Sequence, residues 1–140
     1  MRLPAGDSKE KPLRLIAEIL EREHVPYALI GGVAVQLQTE EPRSTLDIDL
    51  AVTRYSDVPR PALLGAGFEH TGRHDHSDKW RAPGPGPLKL RTAIQFSAED
   101  VGIADAVAHA SIVDLDGSLR LRVATVADLI EYRKQYDLPG

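Results

Sequence analysis

Between Ser44 and Val52 apolar and polar residues alternate one for one. Leu46, Ile48 and Leu50 fall on one side of an extended chain, and Asp47, Asp49 and Ala51 fall on the other. A period of two predicts a strand with one core face, and here the opposite face carries two carboxylates. Upstream, "KPLRLIAEILEREHV" places Leu13, Ile16, Ile19 and Leu20 at helical spacing with charged residues between them. That pattern predicts an amphipathic helix from about Glu10 to Glu23, closed off by Pro26. "YALI" reads as a short buried strand, broken by Gly31-Gly32, with a short helix over "VAVQLQ" beginning right after the glycines. "DVPRPALLGAGF" predicts a helix with proline near its first turn and Gly65 or Gly67 at its end.

The stretch from Glu69 to Pro87 is polar and turn-rich, with a short strand around Trp80. "LKLRTAIQF" alternates again: Leu88, Leu90, Ile94 and Phe96 oppose Lys89, Arg91, Ala93 and Gln95, which predicts a second half-buried strand. "IADAVAHAS" reads as a helix, and "SIVDL" and "LRLRVA" as a hairpin around Asp116-Gly117. "TVADLIEYRKQY" is a closing helix with a Thr125/Asp128 capping box. No internal repeat or long linker divides the chain. Helices alternating with strands argue an α/β or α+β domain, a small mixed β-sheet flanked by helices.

At 140 residues the expectation is one domain over positions 1–140, with the first nine residues disordered. No window approaches the roughly 18 to 20 apolar residues of a membrane span, and "MRLPAGDSKEKP" lacks the apolar core of a signal peptide. The expected location is therefore the cytoplasm, with no membrane partner. With no cysteine, disulfides and thiolate metal sites are excluded. A net charge of -4 argues against a protein built on non-specific nucleic-acid affinity, so no DNA partner is expected, though a locally basic cleft stays open.

Asp47 and Asp49 are the chemically informative pair. Residues i and i+2 of a strand point the same way, roughly 6.5 to 7 Å apart at the backbone, so the two can converge on one cation. Oxygen ligands of this kind suit a hard divalent ion, Mg²⁺ or Mn²⁺. Gly31-Gly32 supplies a complementary feature. A glycine step between a strand and a helix start exposes backbone amides without Cβ obstruction, where the helix dipole favours an anion. Together the two features describe a cradle for a metal-bound triphosphate.

The run "PYALIGGVAVQLQ", followed by "PRSTLDIDLAV", resembles the nucleotidyltransferase superfamily that shares its fold with DNA polymerase β. The likeness is greatest to small bacterial nucleotidyltransferases of abortive-infection and toxin–antitoxin type. The segment "VATVADLIEYRKQ" is similar to the family's later strand-helix unit with its basic residue, here Arg133 or Lys134. The resemblance implies that Asp47 and Asp49 bind Mg²⁺ and act in catalysis, while Gly31, Gly32 and the following helix start hold a nucleoside triphosphate. It places Arg43 and Thr45 in the same site, Arg43 pairing with phosphate and Thr45 ordering the turn into the strand. It implies transfer of a nucleoside monophosphate to a hydroxyl of a protein or RNA acceptor, in a toxin–antitoxin or phage-defence setting with a cognate antitoxin as a partner. The alternative is a catalytically degenerate fold that binds nucleotide or a partner protein without turnover.

That alternative has a sequence warrant. Active members of the superfamily add a third carboxylate from a neighbouring strand, and the corresponding strand here, "LKLRTAIQF", brings either Ala93 or Gln95 to that place. Glu99, Asp100, Glu69, Asp75 and Asp78 are candidate substitutes. Lys89 and Arg91 on the same presumed face could steer phosphate, and Arg91 is taken as a nucleotide-binding residue. His70, His74 and His76 sit in a polar loop whose spacing matches no zinc motif. Trp80-Arg81 could stack on a base, although a lone Trp beside a hairpin more often packs in the core.

Overall fold

The computed structural model describes residues 10–39, 47–74, 77–115, 117 and 119–136. Expectations for the first nine residues and for Asp116 lie outside them. The elements are α1 (Glu10–Arg22), β1 (Tyr27–Ile30), α2 (Gly31–Thr39), β2 (Asp47–Val52), α3 (Arg60–Gly65), β3 (Glu69–His74), β4 (Ser77–Arg81), β5 (Ala93–Ser97), α4 (Val101–His109), β6 (Ser111–Leu115), β7 (Leu119–Val123) and α5 (Val126–Tyr136). The strands form a mixed sheet in the order β3-β4-β5-β2-β1-β7-β6. Parallel pairs join β2 to β5 and β1 to β7, and the other neighbours run antiparallel. The α/β expectation is met.

The centre of the sheet is the most buried part. All four residues of β1 are buried, as a short strand covered on both faces requires. On one side of β2, Ile48 and Leu50 join Ile94, Phe96 and Trp80 in the core. From α1, Leu13, Ile16, Ala17, Ile19 and Leu20 are buried while Glu18 and Glu21 face outward, so the 3.6-residue periodicity delivered the packed stripe it predicted. Helix α2 packs across β1, β2 and β7, and Gln38 on it donates to the Ala124 carbonyl at 2.8 Å, tying the helix to the end of β7. Thr125 and Asp128 form the predicted cap: the Asp128 N–H donates to the Thr125 hydroxyl at 3.1 Å, which donates to the Asp128 carboxylate at 3.2 Å.

Three boundaries differ from the sequence reading. Helix α2 starts at Gly31 itself, so the glycines form its first turn. Leu88–Leu90 is a 3-10 turn and β5 begins only at Ala93, because Pro87 and a Leu88 carbonyl bonded to the Arg91 N–H bend the chain before it reaches the sheet. Leu90 is accordingly exposed. The polar stretch after Glu69 forms the β3–β4 hairpin: Asp78 and Trp80 are buried while Ser77, Lys79 and Arg81 are half-exposed. Among the described residues no helix is long and apolar enough to cross a membrane.

Candidate functional site

Residues paired across a ladder share a sheet face, so the register locates every side chain around the aspartates. Asp47 lies opposite Ala93 and Asp49 opposite Gln95 on β5. Asp49 also lies opposite Ile30, the last residue of β1, on the other edge of β2. Both aspartates are half-buried and alternate with the fully buried Ile48 and Leu50.

Chain reversal from β1 into α2 brings the helix start directly against Asp49. Gly31 adopts φ +73°, a left-handed conformation that favours glycine. A Cβ at position 31 would also overlap Asp49 Oδ2 and come within 3.0 Å of its Cγ. Backbone conformation and close approach therefore both require this glycine. Gly32 follows as the second residue of the same helical turn.

The electrostatics are unbalanced. Burial, and secondarily the charge of Asp47, push the Asp49 carboxyl up from 3.8 to about 6. On the Asp47 side, Gln95 Nε2 donates to Oδ2 at 3.1 Å. The strand expected to bring the third acid is thus the neighbour of β2, and both Ala93 and Gln95 face the site. Gln95 contributes an amide donor to Asp47, and Ala93 contributes no polar atom. Among the described residues no group of three or more acids or histidines is arranged to hold a metal ion. Asp47 and Asp49 alone form an oxygen donor set suited to one hard divalent cation, whose charge would offset the like-charge cost felt by Asp49.

The proposed substitutes for the third acid are engaged elsewhere. Glu99 Oε2 accepts from the Tyr55 N–H at 3.2 Å, and Asp100 caps α4 by accepting from the Gly102 N–H at 3.0 Å. Asp78 has no exposure and lies on the opposite sheet face, in register with Phe96. There it pairs with Arg60 at 3.1 Å and His70 at 2.6 Å and accepts from the Trp80 indole at 3.3 Å. Glu69 is exposed and stands 4.0 Å from Arg91. Asp75 lies outside the described residues.

Other expected residues are dispersed. Arg43, Thr45 and His76 lie outside the described residues, as do the side chains of Arg133 and Lys134. Arg91 precedes β5, and its guanidinium donates to the Gly86 carbonyl at 3.1 Å, so it is not a member of the strand face on which the sequence reading placed it. Lys89 is exposed in the 3-10 turn. Trp80 is a core residue, stacked at a tilt on His70 with ring centroids 4.8 Å apart. The sequence reading missed Lys79. Its ladder partner is Gln95, and Arg81 pairs with Ala93, so both bases share the face of the aspartates. The alternation in "SDKWR" carried that information, obscured by the histidines and glycine around it.

Neither a protein-family profile nor a curated protein sequence matches the chain. Solved structures do. A lincosamide antibiotic adenylyltransferase, LnuA, with lincomycin bound, superposes with a TM-score of 0.65 at 16% identity, over 94% of this chain and 89% of that one. An antigenic nucleotidyltransferase-like protein from Paracoccidioides brasiliensis gives 0.65 at 17% identity over 96% and 69%. The antibiotic-resistance factor ANT(2'')-Ia gives 0.59 at 14% identity over 95% and 78%. At such identities the likeness is one of architecture: the chain has the nucleotidyltransferase fold.

Proposed function

We propose that this protein binds a nucleoside triphosphate together with Mg²⁺ or Mn²⁺ and transfers the nucleoside monophosphate to a hydroxyl, releasing pyrophosphate. One observation carries the reading: Asp49 sits directly on Gly31, so the carboxylate pair and the amino end of α2 meet at one point. Ligands for a cation thus adjoin a site for an anion. A divalent ion held by Asp47 and Asp49 would neutralise phosphate charge as the transfer proceeds.

The chain's own residues do the positioning. Backbone N–H groups of the Gly31-Gly32 turn take phosphate oxygens, and Gln95 fixes the orientation of Asp47. The family resemblance assigns Arg43 and Thr45 to the same site, and Arg91 reaches it only by leaving the Gly86 carbonyl. As the acceptor oxygen bonds to the α-phosphorus, the bond to pyrophosphate breaks and the hydroxyl proton passes to solvent, because β5 brings no carboxylate to take it. The acceptor is a protein side chain or an RNA end, in a toxin–antitoxin or phage-defence system with a cognate antitoxin as partner. Antibiotic adenylyltransferases of the same fold add small hydroxyl compounds to the range to be assayed.

A second reading, nucleotide binding without turnover, is favoured by Gln95, whose amide occupies an Asp47 oxygen where the family brings a third acid. Calorimetry with ATP and Mg²⁺, run beside a labelled-nucleotide transfer assay on protein and RNA acceptors, separates the two. Binding with transfer, both lost in Asp47→Ala, supports the first reading. Binding alone supports the second, and no binding by the wild type sinks both.

A further inference from the structure

We propose that Lys79, with Arg81, forms the acceptor side of the site and selects a phosphate-bearing acceptor, a single-stranded RNA end, over a neutral or cationic hydroxyl compound. The inference rests on the nucleotidyl-transfer reading of Asp47 and Asp49. Three observations carry it. First, the register aligns Lys79, Gln95 and Asp49 in one row across β4, β5 and β2, and Arg81, Ala93 and Asp47 in the next. Lys79 therefore stands two strand spacings, about 10 Å, from Asp49 at the backbone.

Second, the two edges of β2 differ. The Gly31 anion site lies on the β1 edge, where Ile30 is the neighbour of Asp49, whereas Lys79 and Arg81 lie beyond the β5 edge. A nucleotide seated against α2 leaves the β5–β4 side for the attacking group. Third, Lys79 is half-buried, yet its ammonium makes no hydrogen bond or ion pair with any described residue. Arg81 uses one N–H on the Arg91 carbonyl at 2.8 Å and keeps four others. Among the described residues the acid facing this part of the sheet is Glu69, opposite Arg81, exposed and 4.0 Å from Arg91. An ammonium without a partner on the face of the aspartates is available to a phosphate of the incoming strand.

The test uses the full chain and a short 5′-labelled single-stranded RNA with a free 3′ hydroxyl, read by fluorescence anisotropy over a salt series, with ATP·Mg²⁺ binding read separately. Lys79→Gln and the more apolar Lys79→Met are both compared, with the urea midpoint as a folding control. The expected result is at least fivefold weaker RNA binding and a slope of log affinity against log salt reduced by about 0.7, with ATP·Mg²⁺ affinity within twofold of wild type. Unchanged RNA affinity and slope overturn the proposal, including the case where transfer to a protein acceptor is what Lys79→Gln impairs. A loss of ATP affinity with RNA binding intact also overturns it, by moving Lys79 to the nucleotide side. Failure of the wild type to bind ATP·Mg²⁺ sinks the transfer reading alone, because the RNA arm is measured without nucleotide.

Discussion

Two carboxylates on opposite faces of one sheet meet burial in different ways. Asp78 on β4 is wholly enclosed, and the chain surrounds it with positive charge and donors: Arg60 from the start of α3, His70 from β3 and the Trp80 indole from its own strand. Asp49 on β2 is half-buried, its close neighbours are the Gly31 backbone and a second acid, and its carboxyl is pushed up to about 6. Taking a carboxylate out of water carries a penalty in both places, the larger at the wholly enclosed Asp78. The Asp78 surroundings offset it from within, which makes that acid a structural tie between α3 and the outer hairpin. Among the described residues no cationic side chain pairs with Asp49, and a cation bound there would offset the penalty. A buried acid is informative about function when its own protein leaves it unsatisfied.

Removing each acid tests the contrast, and the two removals should act in opposite directions. Asp78→Ala leaves three donors around a hole and should lower stability by about 3 kcal/mol. The cost stays below the upper range for buried pairs because Arg60 and His70 are partly exposed and can rehydrate. Urea unfolding measures it, and a change under 1 kcal/mol would mean that the cluster is not the tie described.

Asp49→Asn should stabilise the cation-free protein by about 2 kcal/mol at pH 8. The folded-state value of about 6 exceeds the ordinary 3.8, so between those pH values the folded chain keeps a proton that the unfolded chain has released. Stability of the wild type therefore falls as pH rises from about 4 to 6 and levels off above. The asparagine variant lacks this slope, so the two proteins should converge below pH 4. Thermal melts across the pH range check the sign. Loss of stability in Asp49→Asn at pH 8 would refute the charge imbalance.

The sequence revealed what short-range pattern encodes and obscured what strand pairing adds. The period of two in Asp47–Val52 and the Gly31-Gly32 break are local signals: β2 formed over Asp47–Val52, and α2 formed at the glycine step but starts at Gly31 rather than after Gly32. Leu88 and Leu90 continued the same alternation into β5, yet Pro87 and the turn after it took them out of the sheet, since a hydrophobic pattern says nothing of where a strand meets its neighbour. Lys79 illustrates the converse. It is in register with Gln95 only because β4 pairs with β5, a long-range fact invisible in a segment that also holds Gly72, His74 and Ser77. The absence of an acid at positions 93 and 95 was legible. The use of Gln95 as a donor to Asp47 depends on the pairing of β5 with β2, which no local pattern encodes.

Gln95 is the smallest lever on the comparison and the most discriminating. Replacing it by aspartate removes the hydrogen bond to Asp47 and sets a third carboxylate beside Asp47 and Asp49. The cation-free protein should lose about 1 kcal/mol at pH 8, roughly the worth of one part-buried hydrogen bond, with the added repulsion screened through the open side of the cleft. Mg²⁺ or Mn²⁺ should then raise the melting temperature of Gln95→Asp by more than that of the wild type, because ligands that repel one another are the ones a cation stabilises most. Ala93→Asp, opposite Asp47 on the same face, is the matched control for position. If either variant also gains transfer activity, the wild-type site is a nucleotidyltransferase site one carboxylate short. If both gain cation binding and neither gains transfer, then Gln95 belongs to a site whose work is to hold a nucleotide.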